Sequence, residues 1–159
     1  MTLNVIYSYH YRDAKVTDCG NWLIVIVRKE ISNHLVYFAK LGEGKNITGK
    51  LPLTQIINKF EADHVYITNC GTKYIFKTNK NSPNCKLVSI DLENFKEDDW
   101  IELVPEHSHN VLDWAYVVDK DKLILCYIED VKVKILIVNK QNKNFLIKFL
   151  LNLEYLSCT

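Results

Sequence analysis

Serine-based acyl transfer needs a hydroxyl presented on a strained turn. The pattern that supplies it is G-x-S-x-G, whose small flanking residues let the following backbone N–H help bind an oxyanion. The glycines of this chain are Gly20, Gly42, Gly44, Gly49 and Gly71, and none stands two residues from a serine. The five histidines, His10, His34, His64, His107 and His109, therefore have no nucleophile to activate, and surface or strand-edge positions are expected for them. His107 and His109 with Glu106 can approach a metal from one side, because alternate strand residues point the same way. Two close histidines without further ligands read instead as solvated loop residues. Glu97-Asp98-Asp99 and Glu93 make an acidic cluster of the kind that solvates turns. No metal and no cofactor is expected.

The remaining reactive side chains are thiols. Cys19, Cys70, Cys85, Cys126 and Cys158 are an odd number without a CxxC pair, which fits reduced, partly buried thiols of a cytosolic protein better than a disulfide framework. The segment 1–10 has neither the basic nor the apolar region of a secretory signal, and no stretch reaches the roughly 18 uninterrupted apolar residues of a membrane span. A cytoplasmic location is the expectation. Asn46-Ile47-Thr48 matches the glycosylation pattern, which is weak without a secretion signal, and reads as a loop. A net charge of +1 offers no electrostatic reason for nucleic acid or an anionic membrane as partner.

With 159 residues, 48% hydrophobic and 25% charged, the chain can bury a sizeable core. Its organising stretch is 72–114. Two runs rich in β-branched and aromatic residues, 72–79 and 85–91, flank the polar cluster Lys80-Asn81-Ser82-Pro83-Asn84, and a third run, 100–104, follows. This is the signature of an antiparallel meander.

The same order recurs on both sides. A short run at 14–17 turns at Asp18-Cys19-Gly20-Asn21 into a continuous apolar strand at 22–27, followed by strands at 34–40 and 53–58 across a long loop at 42–52. In the second round 63–68 turns at Asn69-Cys70-Gly71 into 73–78, 85–91 and 100–104. In the third, 111–118 turns at Asp119-Lys120-Asp121 into 123–128, 131–138 and 145–150. Residues 145–156 are rich in Leu and Lys and helix-compatible, but the repeat predicts a strand there. The turns fall near positions 20, 71 and 121, a period of about 50 residues that lies in the range of propeller blades. The expected fold is all-β: a partial propeller spanning 1–159, with blades at about 13–58, 62–104 and 110–150.

A four-stranded blade has two apolar faces and must stack on neighbours to cover them. Three blades make an open arc with uncovered ends, so self-association of the isolated chain is expected. Residues 1–7 carry no turn chemistry leading into the first blade, which fits a truncated or altered start.

Several short matches in order carry a resemblance: Phe76-Lys77-Thr78-Asn79, Ser82-Pro83-Asn84, Ile90-Asp91, Leu103-Val104-Pro105-Glu106-His107, Val111-Leu112, Trp114, Leu125-Cys126-Tyr127 and Asp130-Val131-Lys132. Together they are similar to the middle of the propeller domain of the prolyl oligopeptidase (prolyl endopeptidase) family, and the likeness extends more loosely over 12–150. The resemblance implies a serine peptidase that cleaves short peptides after proline. In that family a seven-bladed propeller caps an α/β-hydrolase domain with a Ser-His-Asp triad and admits only small peptides. This chain would supply part of the gate and none of the triad. Its partners would be the remaining blades, the hydrolase domain and short proline-containing peptides.

The resemblance also implies a contact region. The segment 22–31 is similar to a family strand whose arginine faces the peptide cavity, which points to Arg28 as a substrate-binding residue and places Ile31 where a small residue or thiol is expected. Tyr11 stands where an apolar residue of the same region is expected. Both depart from the family pattern. An arginine whose stem lies along apolar surface at a strand end explains Arg28 equally well. Two other classes stay open: a propeller-derived interaction module without an enzyme half, binding through its open edges, or a fragment with no separate role.

Overall fold

The computed structural model describes residues 11–29, 32–42, 49–119, 122–139 and 146–153. Among these residues, twelve strands form three four-stranded antiparallel sheets, each a meander in chain order. The first holds β1 (Tyr11–Val16), β2 (Trp22–Lys29), β3 (Ser32–Lys40) and β4 (Thr54–Ile57). The second holds β5 (His64–Cys70), β6 (Lys73–Thr78), β7 (Lys86–Asp91) and β8 (Ile101–Val104). The third holds β9 (Val111–Val118), β10 (Lys122–Glu129), β11 (Lys132–Asn139) and β12 (Leu146–Leu153). The architecture is the expected open, partial propeller. The strand that the repeat predicts at 145–150, in a helix-compatible stretch, is present as β12 and pairs with β11.

Alternation explains how the sheets stack. On β6, Tyr74 and Phe76 point toward the first sheet and pack with Ile24, Ile26, Val36 and Phe38, while Ile75 points the other way and packs with Leu112, Leu123 and Leu125 of the third. Two apolar seams result, and the middle sheet contributes to both. Backbone approach between sheets is concentrated where β5 meets β9 and where β3 meets β5.

A bulge re-phases β9. Leu112 pairs with Tyr127 and Trp114 with Cys126, leaving Asp113 as the extra residue. Leu112 and Ala115, three apart, thereby both reach the inner seam. The same shift turns Val111, Trp114, Tyr116 and Val118 to the opposite face, where they are exposed together with Ile128 of β10. On the first sheet Val27 and Leu35 are buried, so the two bare ends expected from sequence reduce, among the described side chains, to one conspicuous apolar face on the third sheet.

Several strand starts shift inward because turns take up their first residues. The third strand of the last sheet begins at Lys132, not Val131. Glu129 pairs with Lys132, and Asp130 and Val131 form a two-residue hairpin at φ 46° and 65°. Cys85 likewise sits at φ 64°, before β7 begins. Most of the long loop at 42–52, residues 43–48, and the irregular start at 1–7 lie outside the described residues.

Candidate functional site

Arg28 lies near the end of β2, opposite Tyr11 on β1 and His34 on β3. Its side chain shares a face with Ile24 and Ile26, which fixes its direction: toward the seam with the second sheet. There Arg28 Nη2 lies 3.6 Å from Asp13 Oδ2, both side chains partly exposed. Its Nε is buried without a hydrogen-bond partner. A small cavity of about 80 Å³ beside it is lined by Asp13, Lys15, Ile24, Ile26, Val65 and Tyr66. Lys15 Nζ sits 5.2 Å above the Tyr66 ring. Among the described residues the guanidinium thus has one weak ionic neighbour and spare donors, an arrangement suited to a carbonyl or carboxylate. Tyr11 opens β1, in register with Arg28, whereas Ile31 lies outside the described residues.

Next to Arg28 in the sheet begins a network that sequence reasoning placed wrongly. His34 and His64 are not surface residues; both are buried. The backbone N–H of His64 donates to His34 Nδ1 at 2.9 Å, and that of His34 donates to the Ala62 carbonyl at 2.8 Å. The Asn33 N–H donates to Asp63 Oδ1 at 2.6 Å. His64 Nδ1 lies 2.8 Å from Thr78 Oγ1 and 2.7 Å from the Asp63 carbonyl. Burial, with smaller effects from the nearby His34 and Lys80, pushes the His64 pKa down to about 3. It is a neutral ring held within the second sheet, while its own backbone N–H on the His34 ring joins that sheet to the first. No sequence motif signals this pair, because the two histidines are 30 residues apart and meet only when the sheets stack.

The opposite end of the same seam is closed by the two equivalent turns. Thr68 Oγ1 donates to Asp18 Oδ2 at 2.8 Å, and Asn69 Nδ2 donates to Cys19 Sγ at 3.3 Å. Beside them a cavity of about 570 Å³ opens between all three sheets, with Lys15, Asp18, Cys70, Tyr116 and Asp119 on its walls. The second seam has its own ties. Lys77 Nζ donates to the Leu112 carbonyl at 3.4 Å and also to that of Asp113, and Leu112 N–H donates to the Asn84 carbonyl at 2.8 Å. His107, weighed above as a metal ligand, spends its Nδ1 accepting from the backbone N–H groups of His109 and Asn110 at 3.2 and 3.0 Å. It shapes the turn before β9.

The family model described as the prolyl oligopeptidase N-terminal β-propeller domain matches residues 7–159. The chain is 29% identical over 124 residues to the dual function macrocyclase-peptidase POPB of Amanita bisporigera, covering 78% of this chain and 17% of that protein. It is 31% identical over 103 residues to the prolyl endopeptidase of Elizabethkingia meningoseptica, covering 64% of this chain and 14% of that protein. Among solved structures, prolyl oligopeptidase B from Galerina marginata, bound to a 35mer hydrolysis and macrocyclization substrate, superposes with a TM-score of 0.79 at 25% identity, over 88% of this chain and 19% of that one. The chain thus spans under a fifth of the length of these relatives. With its sheets, seams and matched residues taken together, this chain belongs to the prolyl oligopeptidase family and corresponds to part of its N-terminal β-propeller domain.

Proposed function

We propose that the chain serves as part of the substrate-gating propeller of a prolyl oligopeptidase-like serine peptidase acting on short proline-containing peptides. In this reading the chemistry comes from an α/β-hydrolase domain and the rest of the ring from further blades. The observation that carries it is the bare face of the third sheet, where Trp114, Tyr116, Val118 and Ile128 stand exposed in a chain of propeller ancestry. A sheet face of that composition is stable when another sheet covers it. Arg28, in register with Tyr11, is the proposed peptide-contacting residue, its unpaired Nε and half-exposed guanidinium offering donors to a peptide carbonyl or carboxylate, and Ile31, further along the sequence, is proposed with it by family likeness alone. The exposed thiols of Cys19 and Cys70 suit a reducing compartment, and the cytosol is the proposed location.

The test is complementation. The chain is co-expressed with the remaining blades and hydrolase domain of a family member and assayed on a fluorogenic proline peptide. Turnover is expected only in the reconstituted sample. Failure of the halves to associate, with the chain capturing an unrelated protein through the third sheet's face, would favour the interaction-module reading and overturn this one.

A further inference from the structure

The connection from β7 to β8 makes a single helical turn at Glu97–Asp99 and lays Phe95 and Trp100 against the core of the first seam. Between this connection and the end of β4 a cavity of about 340 Å³ opens to solvent, with Ile56, Ile57, Ala62, Phe95 and Trp100 as its apolar lining and His64 on its wall. A space of that size holds a small molecule. The Trp100 indole spends its own donor within the connection, on the Phe95 carbonyl at 3.2 Å, and meets the His64 ring edge to face with centroids 5.8 Å apart.

His64 is only 2% exposed, and its two ring nitrogens stand in different surroundings. Nδ1 lies 2.7 Å from the Asp63 carbonyl, which can only accept, so Nδ1 carries the ring's proton; Thr78 Oγ1 lies 2.8 Å from the same nitrogen. A ring that stays neutral then has a bare lone pair at Nε2. Among the described residues the ring's hydrogen bonds all fall on Nδ1, and none reaches Nε2. A buried acceptor left unmet is costly, and this one belongs to the wall of a cavity that is otherwise mostly apolar.

The mouth is charged but largely paired. Lys80 Nζ lies 2.7 Å from Glu97 Oε2 and 3.2 Å from Glu61 Oε2, and Lys59 Nζ lies 3.5 Å from Glu61 Oε1. Lys96 adds one further positive charge at the rim. A charged guest would have to displace one of these pairs or be desolvated without a partner, whereas a neutral guest does neither.

We propose that this cavity binds a neutral single-ring phenol, its ring against the apolar lining and its hydroxyl donating to His64 Nε2. The aromatic body suits Phe95 and Trp100, and the one O–H supplies the donor that the histidine lacks. Binding is reversible and changes no covalent bond. The site goes beyond the peptidase reading and does not rest on it, because every group in it lies within this chain.

The experiment titrates the nitrogen-15-labelled chain with p-cresol and, separately, with its methyl ether, which keeps the ring and lacks the donor. The chain's three tryptophans, Trp22, Trp100 and Trp114, report where the ligand sits. The Trp100 indole and His64 Nε2 resonances should shift to saturation while Trp114, on the bare face of the third sheet, stays unmoved. p-Cresol should bind roughly tenfold more tightly than the ether. N-acetyltyrosinamide separates two sources of the same group: weaker binding than p-cresol assigns the site to a free phenol, and tighter binding assigns it to a tyrosine side chain. Equal affinity for p-cresol and its ether would reduce the site to an apolar cleft and overturn the proposal, as would shifts confined to Trp114 or no saturable shift at all. His64→Phe should erase the preference for the phenol over the ether. The ligand pair is read on the parent chain, so the result stands even where that variant misfolds.

Discussion

The imidazole of His34 accepts the backbone N–H of His64 at 2.9 Å, so a side chain of the first sheet completes the hydrogen bonding of the second sheet's leading strand. His64 itself is neutral, its pKa about 3 in the folded chain against 6.5 when exposed.

A pH dependence follows. Above pH 6.5 neither state carries a proton on His64 and the residue adds no slope. Below it the unfolded chain takes up a proton that the folded chain refuses, so stability falls as pH drops through the window from about 6.5 to about 3. The slope is on the order of 1.4 kcal/mol per pH unit at its steepest. Urea melts at pH 7.5, 6 and 5 should show a falling midpoint, and His64→Gln should flatten the trend.

The hairpin between β10 and β11 carries a removable strain. Val131 adopts φ 65° and is 80% exposed, so it loses backbone energy without gaining burial. A β-branched residue pays about 1–2 kcal/mol for that region, while glycine pays nothing steric but more chain entropy. Val131→Gly, which creates the favoured Asp-Gly pair, should raise stability by about 1 kcal/mol in chemical denaturation.

The turn clasp between Asp18 and Thr68 should be worth about 1 kcal/mol of coupling. The check is a double-mutant cycle with Asp18→Ala and Thr68→Val. A cycle in which the single changes simply add would mean that the apolar seam alone holds the sheets together at that end.

The exposed face of the third sheet makes a prediction about association. Tyr116 is 65% exposed beside Trp114 and Val118, and Tyr116→Lys should leave folding stability within about 0.5 kcal/mol. Sedimentation velocity should show concentration-dependent self-association of the parent chain and less of it in the variant.

What could be read beforehand was what depends on short-range pattern. The alternation through Tyr74-Ile75-Phe76 and the Gly-containing turns at Gly20 and Gly71, both at positive φ, fixed strands and hairpins within a few residues. Val131 and Cys85 were read as strand because their side chains favour it, and hairpin geometry overrode that preference. The site was less legible. Arg28 was identified through family likeness, but its pairing with Asp13 and its direction toward the seam depend on the β1–β2 register. The His34–His64 bond and the Cys19–Asn69 contact join residues 30 and 50 positions apart, and no local motif encodes a contact made by stacking.

Strand β6 feeds apolar side chains to both of its neighbours at once, Tyr74 and Phe76 to one and Ile75 to the other. Inserting a single residue within 73–78 would invert that assignment for everything downstream of it in the strand, injuring two boundaries with one event. The same insertion in the connection at 79–85 would keep the alternation of both strands it joins. Length variation among descendants of this chain should therefore accumulate in the connections and be purged from the central ribbon.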